Sequence, residues 1–68
     1  MREWLLTARK KKGMSQSEIA EMCGIKAPSY CTIENGKNFP SIATAKKIAA
    51  VLNFPWTKFF EEEKEDAE

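Results

Sequence analysis

The sequence predicts a small all-α domain, on three observations. Its 68 residues can build one core and little more. Apolar residues recur at helical spacing in short segments that stop at Gly13, Gly24 and Gly36. No alternating apolar and polar run, and no two-residue hairpin turn, argues for strands. A core of this size leaves stability near zero unless it packs economically or the chain associates, so one compact unit, alone or paired, is expected.

The first helix should span about residues 2–12, with Leu5 and Ala8 on one face and Trp4 beside them. Its lysines gather at the end, where the helix dipole favours cations, and Gly13 stops it. "SQSE" then opens the second helix. The Ser15 hydroxyl can accept from the Glu18 N–H while the Glu18 carboxylate reaches back to the Ser15 N–H, a capping box. Ile19, Ala20 and Cys23 should face inward before Gly24 ends the segment after about two turns. A third helix is expected over residues 27–35, with Tyr30 and Ile33 inward and Gly36 as its stop. Ser41 caps a fourth helix that runs to residue 52, and Ile42, Ala45, Ile48, Ala49 and Leu52 form the most regular apolar stripe in the chain. Pro55 opens a short fifth helix holding Trp56, Phe59 and Phe60.

Gly24 and Ile25 leave too tight a connection for the second and third helices to lie antiparallel. A steep crossing is expected, as in a helix-turn-helix. It needs a glycine able to take a positive φ, a small residue where the helices touch, and apolar residues that lock both. Gly24, Ala20 and the group Ile19, Cys23, Ile25, Tyr30 and Ile33 fill these roles.

The net charge of +1 hides two unlike parts. Residues 1–60 hold ten Lys or Arg against four Glu, a charge of +6, whereas "EEEKEDAE" holds six acids against one Lys, a charge of −5. This divides the chain into a basic domain, 1–60, and an acidic tail, 61–68, with too little apolar surface to order. The asymmetry points toward nucleic acid, with the tail competing for the same lysines as phosphates do; a tail that only solubilises is the other reading.

The start, "MREWLLTARKKKG", has too brief an apolar stretch for a signal peptide or a spanning helix, so the chain reads as cytoplasmic and no membrane partner is expected. Cys23 and Cys31 lack a secretory pattern and, with no His in the chain, are too few for a zinc site; two reduced thiols and no metal or other cofactor are expected. The absence of His, of a glycine-rich phosphate loop and of paired acids outside the tail argues against an enzyme. With a single small domain expected, no small-molecule ligand is expected either.

Three motifs, "ARKKKGMSQSEIAEMCGI", "TIENGKNFPS" and "AKKIAAVLNF", follow one another in the order and at the spacing of a known family. Over about residues 5–60 the chain resembles the helix-turn-helix domains of lambdoid phage repressors and Cro, also called the xenobiotic-response-element type of bacterial regulator. The resemblance implies a compact five-helix, lambda-repressor-like fold that binds a double-stranded DNA operator. The third helix would lie in the major groove and the second across the backbone with its start on a phosphate. By the same resemblance Gln16 would bind phosphate, Asn35, Gly36 and Lys37 would form a second phosphate clamp, and Arg9 and Glu34 would pair to join the first and third helices.

The base-reading positions fall on Ala27, Pro28, Ser29 and Thr32, and here the chain departs from strong readers, since none is the Arg, Asn or Gln that grips a purine twice. Ala27, Pro28 and the Thr32 methyl suit thymine methyl groups, the Ser29 and Thr32 hydroxyls suit several base edges, and shape-based selection has room to act. Lys26 stands where the family often has a Ser or Thr cap; it favours a nearby phosphate or marks a weak helix start. Phe54, Phe59 and Phe60 match apolar core positions, which leaves Trp56 as an exposed anchor across the two-fold axis of a homodimer. Two functions stay open: a sequence-selective transcriptional regulator, and a protein-interaction module that kept the fold but not specific DNA reading.

Overall fold

The computed structural model describes residues 1–61. Four helices follow in order: α1 (Glu3–Lys11), α2 (Gln16–Cys23), α3 (Ala27–Glu34) and α4 (Ile42–Leu52). A fifth, α5, starts at 58 and reaches the last described residue, 61, one position past the expected domain boundary. Among the described residues there is no strand. The remainder of the expected acidic tail, 62–68, lies outside the described residues.

One terminating device is used four times. After each of α1 to α4 the chain takes a left-handed residue: Gly13, Gly24, Gly36 and Asn53, with φ of 69°, 73°, 82° and 65°. In each case the next amide reaches back five residues: Met14 N–H to the Arg9 carbonyl, Ile25 to Ala20, Lys37 to Thr32, and Phe54 to Ala49. These are Schellman closures, which satisfy carbonyls that the helix itself cannot. At the starts, Ser15 and Ser41 cap α2 and α4 with their hydroxyls, and Ser15 forms the full capping box with Glu18.

The closures bring every helix onto one core: Leu5 of α1, Ile19, Ala20 and Cys23 of α2, Tyr30 and Ile33 of α3, Ala45, Ile48 and Leu52 of α4, and Phe59 of α5. α2 packs against both α3 and α4, and α1 against α3. Cys23 is buried and Cys31 half-buried, both free thiols; burial pushes the Cys23 thiol up, with Lys47 partly offsetting it. No described helix is long and apolar enough to cross a membrane.

Several expectations need correction. Ile42, expected in the buried stripe of α4, is 54% exposed; it is the first residue of the helix, one turn beyond Ala45, where burial begins. The fifth helix starts at 58 rather than at Pro55, because Lys58 N–H and Phe59 N–H first close tight three-residue bonds to the Pro55 and Trp56 carbonyls. Phe59 alone of the closing aromatics is fully buried; Phe54, Trp56 and Phe60 are all half-buried, so Trp56 is no more exposed in kind than its neighbours.

Arg2 caps α1 instead of belonging to it, and only 7% of it is exposed. Its Nη1 donates to the carbonyls of Ile33 and, at 3.0 Å, Asn38, and its backbone N–H donates to the Glu34 carbonyl at 2.8 Å. The guanidinium also lies 5.1 Å from the ring centre of Phe39 and 5.6 Å from that of Phe59. A planar fork of donors can serve two carbonyls at once while its face meets rings, and this arrangement suits an arginine to a buried position.

Candidate nucleic-acid interface

Gln16 is the first residue of α2, beside the Ser15 cap. The cap takes the Glu18 amide, leaving the amides of Gln16 and Ser17 outside the helical ladder. The Gln16 side chain is half-buried and its Nε2 donates to Glu34 Oε1 at 2.8 Å. This bond brings the start of α2 to the end of α3. Asn35, Gly36 and Lys37 follow Glu34 directly and are exposed. The two groups expected on phosphates therefore sit together at the C-terminal end of α3.

At the other end of α3 stands Lys26, exposed, with no hydrogen bond from its side chain to the helix start. Pro28 in the first turn suits such a start, because it has no N–H to satisfy. Between the ends, Pro28 and Ser29 are exposed and Ala27 and Thr32 are half-buried. The Thr32 hydroxyl donates to the Ser29 carbonyl at 2.8 Å and accepts from Asn38 Nδ2 at 3.2 Å. Two of its three bonding positions are filled, which leaves one acceptor position on the hydroxyl. Asn35 Nδ2 turns back onto Cys31 Sγ at 3.4 Å.

Beneath this row lies one polar cluster. Glu34, 1% exposed, accepts from Arg9 Nε at 2.8 Å, Arg9 Nη2 at 3.1 Å, Tyr30 Oη at 2.9 Å and Gln16 Nε2. Arg9 also donates through Nη1 to the Met14 carbonyl at 2.8 Å. Burial opposes the charge on Glu34, but the bonds from Arg9, Gln16 and Tyr30 outweigh it and hold the carboxyl below its ordinary range. Arg9 is pushed up by its bond to Glu34 against the effect of burial, and Tyr30 is pushed up by burial and by the carboxylate it donates to. The cluster is thus an ionised pair with both carboxylate oxygens used.

Sequence reasoning named Tyr30 only as an apolar lock and missed its hydroxyl, and it passed over Asn38 and Arg2. Tyr30 and Glu34 stand four apart on one helix, a legible spacing; Arg2 and Asn38 carried no local signal. Trp56 lies apart from this row, its ring 5.1 Å from Lys46 Nζ and 5.6 Å from the Phe60 ring.

The sequence profile of the helix-turn-helix family matches residues 5–59, which holds all of α1 but its first two residues, α2 to α4 and the start of α5. The chain belongs to that family. Relatives of this helix-turn-helix domain include an uncharacterized HTH-type transcriptional regulator of Bacillus subtilis, YqaF, 45% identical over 62 residues that cover 91% of this chain and 82% of that one. An uncharacterized HTH-type regulator of Archaeoglobus fulgidus is 40% identical over 53 residues, 78% of this chain and 76% of its own. The HTH-type transcriptional regulator PuuR of Escherichia coli is 37% identical over 54 residues; these cover 79% of this chain but 29% of PuuR, so the likeness is to one part of that protein. No solved structure is a significant match. Family and relatives together make this a Cro- and repressor-like helix-turn-helix domain.

Proposed function

We propose that this chain is a DNA-binding transcriptional regulator that reads double-stranded operators with α3 in the major groove, as a homodimer on a two-fold site. In this reading Gln16, Lys26, Asn35, Gly36 and Lys37 meet phosphates at the two ends of α3. Ala27, Pro28, Ser29 and the Thr32 methyl face base edges between them. Half-sites one helical turn apart need two readers, and Trp56 is the anchor between the copies. The observation that carries the proposal is the bond from Gln16 to Glu34, which brings the start of α2 and the 35–37 turn to one end of α3. The regulators among its relatives support the same reading and favour a binding role over an enzymatic one.

Selection from random duplexes, with affinity then measured over a range of salt, tests it. The parent should bind duplex DNA with an affinity that falls as salt rises, and Lys37→Ala should weaken all duplexes alike while lowering the salt slope by about one unit. The bland α3 face keeps one rival open, a protein-interaction module on the same fold. Binding to duplex that is absent or indifferent to salt would overturn the DNA-binding reading and favour that rival.

A further inference from the structure

We propose that Glu34 is a positioning residue for DNA binding: held by Arg9 and Tyr30, it fixes the Gln16 amide in the orientation that grips phosphate. The inference rests on the DNA-binding reading and assigns a second role to an ion pair that otherwise only joins α1 to α3.

A carboxylate accepts and never donates when ionised, so the Gln16 amide can meet Glu34 only through its nitrogen. That settles which way the amide is turned, a choice a free glutamine side chain leaves open. Nε2 carries two hydrogens. One is used on Glu34 Oε1 at 2.8 Å; the other remains for an anion beside the Gln16 and Ser17 backbone amides. Glu34 is itself fixed, because Arg9 binds both of its oxygens, Tyr30 binds Oε2 from one turn earlier in α3, and the residue is buried. Arg9 also neutralises it, which allows a carboxylate to stand one hydrogen bond away from a group that must attract phosphate. A side chain frozen before binding has no rotamer freedom left to lose on binding.

The test is a double-mutant cycle between Gln16→Ala and Glu34→Gln. Affinity for one fixed duplex of mixed sequence is read by fluorescence anisotropy at low temperature and low salt, where circular dichroism verifies that each variant is folded. Gln16→Ala should weaken binding about tenfold, and Glu34→Gln by a smaller factor. Combined, they should be no weaker than Gln16→Ala alone, because the amide that Glu34 orients is gone. Tyr30→Phe, which removes one hydroxyl and keeps the ring, should show the same non-additivity with a smaller loss and serves if Glu34→Gln does not fold. An equal loss from Glu34→Gln, or from Tyr30→Phe, in the parent and in the Gln16→Ala background would mean that the cluster acts through the fold alone and would overturn the proposal. If Gln16→Ala binds like the parent while Lys37→Ala is weaker, the positioning role fails and DNA binding stands; if the parent does not bind, the function itself fails.

Discussion

Asn38 holds the Thr32 hydroxyl from the far side of the turn that ends α3, with its Nδ2 3.2 Å from Thr32 Oγ1. Thr32 in turn donates to the Ser29 carbonyl one turn back, so the side chain cannot rotate without breaking two bonds. On the proposed DNA-binding reading, what Thr32 has left to offer a base is chiefly its methyl group.

The first prediction follows from that rotamer. Thr32→Val keeps a methyl in place and should retain most of the operator preference, whereas Thr32→Ser keeps the hydroxyl and should lose roughly 1 to 3 kcal/mol of discrimination at one base pair. Competition between selected duplexes differing at single positions measures both. The reverse ranking would mean that the hydroxyl reads the base.

Arg9 and Glu34 make stability depend on acid. Because the folded carboxyl lies below its ordinary value, the unfolded chain takes up the proton first, near pH 4.3; the stability contributed by Glu34 is complete above about that pH and is lost as pH falls through the folded value. Arg9→Met should cost on the order of 3 kcal/mol at pH 7, since it leaves a buried carboxylate without its partner. Urea unfolding of both proteins should show that gap narrowing as pH falls through the variant's higher carboxyl value towards the parent's lower one. A gap independent of pH would rule out an ionic pair.

Gly36 and Gly24 have similar positive φ but different surroundings. A Cβ on Gly24 would meet open space, whereas one on Gly36 would lie 3.3 Å from the Met1 nitrogen and 3.5 Å from its Cα. Gly24→Ala should therefore lose about 1 kcal/mol from backbone strain alone. Gly36→Ala should lose more, because the Met1 backbone must also shift away from the end of α3. Denaturant midpoints compare the two directly, and equal losses would show that Met1 does not pack on this turn in solution.

Trp56 is the proposed contact between copies. Its half-buried ring shares a surface with Lys46 and Phe60, and Phe60 leads on to Phe39, which is 42% exposed. Trp56→Ala should weaken the dimer by sedimentation analysis while the helical circular dichroism signal persists. A folded variant that dimerises as well as the parent would remove Trp56 from the interface.

The fold was legible where its causes are local. The capping box at Ser15 and Glu18 and the stops at Gly13, Gly24 and Gly36 depend on residues no more than five apart, and the inward faces of α2 and α3 follow from helical spacing. The family motifs were legible for the same reason, and with them the family to which the chain belongs. Long-range pairing was not. Nothing near Arg2 shows that its guanidinium will be buried against carbonyls 31 and 36 residues away, and nothing near Gln16 shows that its amide will meet Glu34. Ile42 fits the apolar period of α4 as well as Ala45 does, yet it is exposed. Periodicity fixes the direction in which a side chain points, but only the packed neighbours decide whether a surface is there to cover it, or a partner within reach of a hydrogen bond.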